Sequence, residues 1–152
     1  MKRYWLMKSE PDEFSIDALE KARREPWSGV RNYQARNFMM KDMRPGDGIL
    51  FYHSNCAVPG VAGLAEVAGD AYPDPTQFVR KSDYFDPASK PEQPRWWLVD
   101  VAFSRKFKRV VSLEELRGHA EALDGFVLLN RGNRLSVMPV TAAQYAFILA
   151  LE

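Results

Sequence analysis

A single cysteine, Cys56, is all the thiol this chain carries, so no disulfide framework can close within it. Two histidines beside that one cysteine are too few for a Cys/His zinc cluster, so no metal and no cofactor is expected. A reducing interior is the default compartment. Charge of one sign is also lacking: 21 Lys and Arg face 20 Asp and Glu, for a formal charge of +1. That balance excludes a globally basic nucleic-acid or membrane-surface protein, and strand binding would need a local basic face. Nothing reaches transmembrane length, and the start, Met1 to Lys8, is too short and too quickly charged for a signal peptide. A soluble, cytoplasmic protein with no membrane partner is expected. Repeats, linkers, a nucleophile elbow, a Walker loop and a dinucleotide fingerprint are all absent.

What remains is a chain that is 46% hydrophobic and 12% aromatic over 152 residues, enough for one domain, residues 1–152, with a sizeable core. Its organising stretch runs from Met43 to Asn55. Pro45-Gly46-Asp47-Gly48 is turn chemistry, and an apolar run follows that ends in His53, Ser54 and Asn55. In an extended chain Ile49, Phe51 and His53 share one face, and Leu50, Tyr52 and Ser54 the other. A strand apolar on both faces is buried, and its polar tip makes one wall of a pocket.

Around it the periodicities predict a strand over Tyr4 to Lys8, stopped by Pro11, and a helix capped by Ser15 with Phe14 and Leu19 as staple. That helix carries Lys21, Arg23 and Arg24 in its last turn and ends before Pro26. Residues 27–33 are irregular, and a helix capped by Asn32 runs from Tyr33 to Met43. Strands over 48–54 and 61–67 form an antiparallel hairpin across the Cys56–Gly60 turn. Residues 71–94 hold five prolines and read as an ordered loop or lid, with a helical turn at Pro75–Phe78. A strand from Arg95 to Phe107 follows, with Trp97, Val99, Val101 and Phe103 on a core face. Capping boxes at Ser112–Glu115 and Thr141–Gln144 open two more helices, with a strand over Arg134–Val140 between them. The fold class is α+β, a mainly antiparallel sheet curled into a barrel and surrounded by helices.

Two kinds of chemistry compete for the polar and aromatic residues. His53, Ser54 and Cys56 lie close together and Asp74 or Glu10 could orient an imidazole base, but on a strand His53 and Cys56 point to opposite faces. Catalysis is therefore disfavoured, leaving a small enzyme or a small-molecule sensor for a nucleoside or other planar metabolite as the alternative reading. The stronger signal is aromatics at irregular or strand-end positions: Trp27, Tyr33, Tyr72, Tyr84, Phe85 and Trp96. Aromatic faces beside amides and hydroxyls suit an unstacked nucleobase. Trp27 fits a core equally well; Asn32 could simply cap its helix, His53 could be a satisfied histidine and Asp74 a turn cap. Arg31 and Arg36 flank the Trp27 segment, and Arg105, Lys106 and Lys108 belong to a dense basic run; these five are the phosphate-contact candidates.

The strings YWLMKSEP (4–11), WSGVRNYQARN (27–37), FYHSNC (51–56), AYPDPTQF (71–78) and RLSVMPV (134–140) resemble the EVE domain over nearly the whole chain. The resemblance implies a PUA-like fold related to the YTH domains that read methylated adenine in RNA. It also implies a non-catalytic reader of a modified base, cytosine or adenine, in DNA or RNA. Lys8-Ser9 match a strand-end motif, Trp27 the first tryptophan of an aromatic cage, Ser28 its neighbour and Asn32 the polar residue opening the next helix. His53, Ser54 and Asn55 match the pocket's strand tip, while Tyr84, Phe85 or Trp96 stands for the second cage aromatic. On this reading the ligand-binding set is completed by Val30, Arg31, Tyr33 and Asp74. The charged amino-terminal extension of eukaryotic members is missing, which implies a bacterial-type, cytoplasmic form, expected as a monomer.

Overall fold

A computed structural model describes residues 2–152, leaving out only Met1, the first residue of the quickly charged start. Strand β1 (Tyr4–Ser9) pairs in parallel with β3 (Gly48–His53), and β3 turns back into β4 (Gly60–Val67). A six-stranded curled sheet results, in the order β2-β7-β4-β3-β1-β8, with β2 at Arg24–Pro26, β7 at Asp100–Ser112 and β8 at Val137–Val140. Two short strands, β5 (Tyr72–Pro73) and β6 (Trp97–Leu98), form a separate ribbon. The edge strands β2 and β8 do not pair with each other, so the barrel is open there.

The alternation within β1 and β3 explains why the sheet is covered on both faces. Trp5, Met7, Ile49 and Phe51 enter one core with residues of α1 (Ile16–Ala22), α2 (Tyr33–Asn37) and the π-turn that extends α2 (Phe38–Asp42). Leu6, Leu50, Tyr52 and Met138 enter the other, beneath α3 (Leu113–Gly118) and α4 (Ala142–Leu151). Gly63 lets the first core close: a Cβ there would stand 2.6 Å from the Arg105 carbonyl and 2.8 Å from the Ile16 side chain. Asp47, 2% exposed, holds the turn before β3 by accepting the Trp5 indole N–H at 3.0 Å and the Arg3 and Arg44 backbone N–H groups.

The caps expected at Ser15, Asn32, Ser112 and Thr141 are all formed, the last as a full capping box. Four expectations need correction. The first helix stops at Ala22, because Arg23 turns to φ 70° and its N–H closes onto the Leu19 carbonyl; Arg24–Pro26 then joins the sheet against β7. The strand expected from Arg95 is broken at Val99, whose carbonyl accepts the Trp27 N–H at 3.0 Å instead of a ladder partner. The side chain buried there is Trp96, at 6% exposure, while Trp97, expected in the core, is half-buried. The last strand begins at Val137 rather than Arg134, with the Ser136 carbonyl just before it still accepting the Lys8 N–H at 2.8 Å.

The long loop is ordered from within by Gln77, which is fully buried. Its amide donates to the Asp74 and Trp96 carbonyls at 2.7 and 2.8 Å and accepts from the Ser89 hydroxyl and the Trp96 N–H. Three of these four hydrogen bonds satisfy backbone groups and the fourth fixes the Ser89 side chain.

Candidate base-binding cavity

Parallel pairing brings the carboxyl ends of β1 and β3 to the same edge, with Ser9 opposite His53 and the Ser54 N–H donating to the Ser9 carbonyl at 2.9 Å. A cavity of about 470 Å³ opens there, between that edge and the irregular segment 27–31. Lys8, Ser9 and Ser54 line it from the strands; Trp27, Ser28, Gly29, Val30 and Arg31 line it from the loop. Small-ligand sites fall at roughly 300–1,000 Å³, so the space suits one planar guest.

Trp27 is both core and wall. It is 8% exposed, packs edge-to-face on Phe51 with ring centres 5.6 Å apart, and still borders the cavity. A second aromatic on the lining is Tyr84, from the long loop. Gly29 has φ +87°, and a Cβ on it would meet the Tyr84 ring at 2.7 Å, so only glycine admits that ring. Of the three stand-ins for a second cage aromatic, Tyr84 alone borders this cavity. Trp96 stacks on Tyr33 at 4.9 Å and donates its indole N–H to Asp86 at 2.7 Å, while Phe85 is half-buried away from the lining.

The loop wall is held by Asp74, whose side chain is 1% exposed. It accepts from the Gly29 N–H at 2.8 Å, from Arg31 Nη1 at 3.1 Å and from both the hydroxyl and N–H of Thr76. Burial alone would raise its pKa; the donors from Thr76, Gly29 and Arg31 outweigh it and hold the carboxyl below its ordinary value. Arg31 spends its remaining donors on the Tyr84 carbonyl, the Val30 carbonyl and Thr76, and so acts as a clamp rather than a free phosphate contact.

Several residues expected on the cavity lie elsewhere. The His53 Nε2 accepts the first N–H of α1, from Ile16, at 3.1 Å, burial lowers its pKa, and the imidazole does not border the cavity. Asn32 caps α2 through the Ala35 N–H at 2.9 Å. Asn55 turns to φ 51° and ties its amide to Glu10. Asp74, Tyr33 and Trp96 stand behind or beside the wall rather than on it. In the basic run Arg105 pairs with Glu152 and Lys106 with Asp17, and neither they nor Lys108 borders the cavity. Arg36 lines a different depression.

Beyond the residues expected from the sequence, Glu10, Glu13, Phe14, Glu25, Pro26, Arg134 and Ser136 also line the cavity. Glu25 stands out because its carboxylate has no side-chain partner among the described residues, and burial, then the nearby Asp100, raises its pKa. A signal for it existed in the chain: in an extended segment Glu25 falls two residues before Trp27 and so shares its side. With Lys8 and Arg134 beside Glu13 and Glu25, the lining carries both donors and acceptors.

A curled mixed sheet with helices on both faces and an aromatic-walled cavity at the end of its parallel pair is a PUA-like α+β architecture. Within that class the chain belongs to the EVE domain family, whose model matches residues 3–151. It is 42% identical to human thymocyte nuclear protein 1 over 170 aligned positions, covering 100% of this chain and 75% of that protein. A crystal structure of a Pseudomonas putida protein superimposes with TM-score 0.94 at 50% identity, covering 97% of this chain and 98% of that one. The crystal structure of the human THYN1 protein in complex with 5-methylcytosine-containing DNA matches with TM-score 0.93 at 42% identity, covering 99% of this chain and 97% of that one.

Proposed function

We propose that this chain is a non-catalytic reader that takes one modified nucleobase into the cavity between Trp27 and Tyr84. Cytosine carrying a 5-methyl group in DNA is the guest favoured by the likeness to the human THYN1 complex. The observation that carries the reading is that two aromatic side chains, Trp27 and Tyr84, border the same cavity as unspent polar groups. Stacking on an aromatic contributes about 1–3 kcal/mol per base. The free Glu25 carboxylate accepts from the exocyclic amine that cytosine presents and thymine lacks. Buried against Trp27, the methyl group adds about 0.8 kcal/mol, so preference over plain cytosine is modest.

Extracting a base from a duplex costs a few kcal/mol, which makes single-stranded or mismatched sites the better ligands. The enzyme alternative loses its base, because His53 is committed to the end of α1. Tyr84 is the position to test, since its side chain is 38% exposed and contributes little to either core. Tyr84→Ala should weaken binding of a 5-methylcytosine single-stranded oligonucleotide about tenfold with melting unchanged. Unaltered affinity in that variant would end the proposal. Deoxyribo- and ribo-oligonucleotides carrying the same base, compared side by side, assign the strand.

A further inference from the structure

A second cavity, about 390 Å³, is lined by Arg36, Ala88, Lys90, Gln93, Pro94 and Arg95. Three cations border it and no carboxylate does. Arg36 is fixed in place: its Nη1 donates to the Arg95 carbonyl at 2.8 Å, its Nε and Nη2 hold Asn37, and its guanidinium lies 4.8 Å from the Tyr33 ring centre. Lys90 has no ion-pair partner among the described residues. Arg95 has only a remote one, Asp86 at 3.9 Å, whose same oxygen already accepts the Trp96 indole N–H at 2.7 Å.

The two cavities are joined by one continuous stack. Tyr84, on the wall of the first, lies 5.6 Å from the Arg31 guanidinium, which lies 5.3 Å from the Trp96 ring. Trp96 stacks on Tyr33 at 4.9 Å, and Tyr33 carries Arg36 into the lining of the second. A charged cavity linked through stacked rings to an aromatic one suits a strand whose base enters one while a phosphodiester farther along it lies on the other.

We propose that the second cavity holds a phosphate group of the nucleic-acid strand, through Arg36, Lys90 and Arg95. The assignment rests on the base-reader proposal for the choice of strand but not for the anion chemistry. Phosphate contacts set position and register while base contacts specify, so this site contributes affinity shared by all sequences. It also explains how a chain with formal charge +1 can bind a polyanion, since three cations gathered on one depression matter more than the total.

The test compares wild type with the double variant Lys90→Gln/Arg95→Gln, both positions being exposed. Affinity for a 5-methylcytosine single-stranded oligonucleotide is measured by anisotropy across a series of KCl concentrations, and 5-methyl-2′-deoxycytidine is titrated separately by calorimetry. The double variant should bind the oligonucleotide about tenfold more weakly at low salt, with a log–log salt slope shallower by about 0.7 for each phosphate it no longer neutralises. Nucleoside binding should be unchanged. Wild-type affinity and slope in the variant would overturn the phosphate site and leave the base cavity standing. Absence of nucleoside binding to wild type, with the oligonucleotide slope still set by Lys90 and Arg95, would sink the base cavity and uphold the phosphate site. Inorganic phosphate titrated alone separates the sources: saturable binding abolished in the variant, with the oligonucleotide slope unmoved, would reassign the cavity to a free anion and overturn the strand.

Discussion

The two walls of the base cavity are built by opposite means. The strand wall, Lys8, Ser9 and Ser54, is the end of a ladder whose neighbours Leu6, Met7, Leu50 and Phe51 are fully buried. The loop wall, 27–31 with Tyr84, owes its shape to one buried carboxylate and one guanidinium that tie together segments more than forty residues apart. Apolar burial is non-directional and tolerates adjustment, whereas a hydrogen-bonded network holds only while each member is present. One wall should therefore fail with the fold, and the other should fail alone.

The sharpest break of that contrast is Phe51→Ala. It removes a fully buried ring from the core shared with Trp27 and should cost about 3–5 kcal/mol, with both walls lost together in urea melts. Trp27→Ala belongs to the same class, because its 8% exposure makes it a core deletion before it is a binding deletion. Asp74→Ala comes next, at about 3 kcal/mol, since it strands the Gly29 N–H and leaves Arg31 without its partner. Hydrogen exchange should then rise in 27–31 and 71–94 while β1 and β3 stay protected. Equal loss of protection in the strands would erase the distinction between the walls.

Gly29→Ala should cost about 1–2 kcal/mol and displace Tyr84, read as weaker oligonucleotide binding out of proportion to the fall in melting temperature. The smallest effects are those of pH. Asp74 has a lowered folded pKa, so its stabilisation is present above the ordinary carboxylate value and is lost as pH falls through the folded one, below about pH 4. His53 is also lowered, so the unfolded chain takes up its proton first and stability declines as pH drops below about 6.5 toward the folded value. A melting series from pH 7.5 to 5 should show that decline in wild type and a shallower one in His53→Gln; identical slopes would remove His53 from the account.

The elements of the fold were legible where local chemistry dominates. Ser15, Asn32, Ser112 and Thr141 cap the helices expected of them, and the alternation of β3 sorts Ile49 and Phe51 from Leu50 and Tyr52 into two cores. The break at Val99 and the short strand 24–26 were not legible, because each depends on a backbone group offered from another segment. The site was half legible for the same reason. Trp27 and Arg31 stood out by their irregular setting and Ser9 and Ser54 by a strand end, whereas Lys8, Ser28 and Val30 came in only with the EVE resemblance; all seven line the cavity. Arg134 could not, since nothing in its own neighbourhood tells a lining residue from a solvated one, and Glu25 offered only its two-residue spacing from Trp27.

Sequence by itself determined most of the helices and strands, the capped helix starts, and that the strand after the Pro45–Gly48 turn is buried on both faces. These follow from side-chain period and capping groups within a few residues of each other. Tertiary structure alone decided which polar side chains are left over to meet a ligand. His53 and Asn32 were used up by helix ends, Arg31 and Asp74 by each other, and Glu25 was left free. A polar atom's availability is fixed by whichever donor or acceptor the fold delivers to it, and that partner can lie anywhere along the chain.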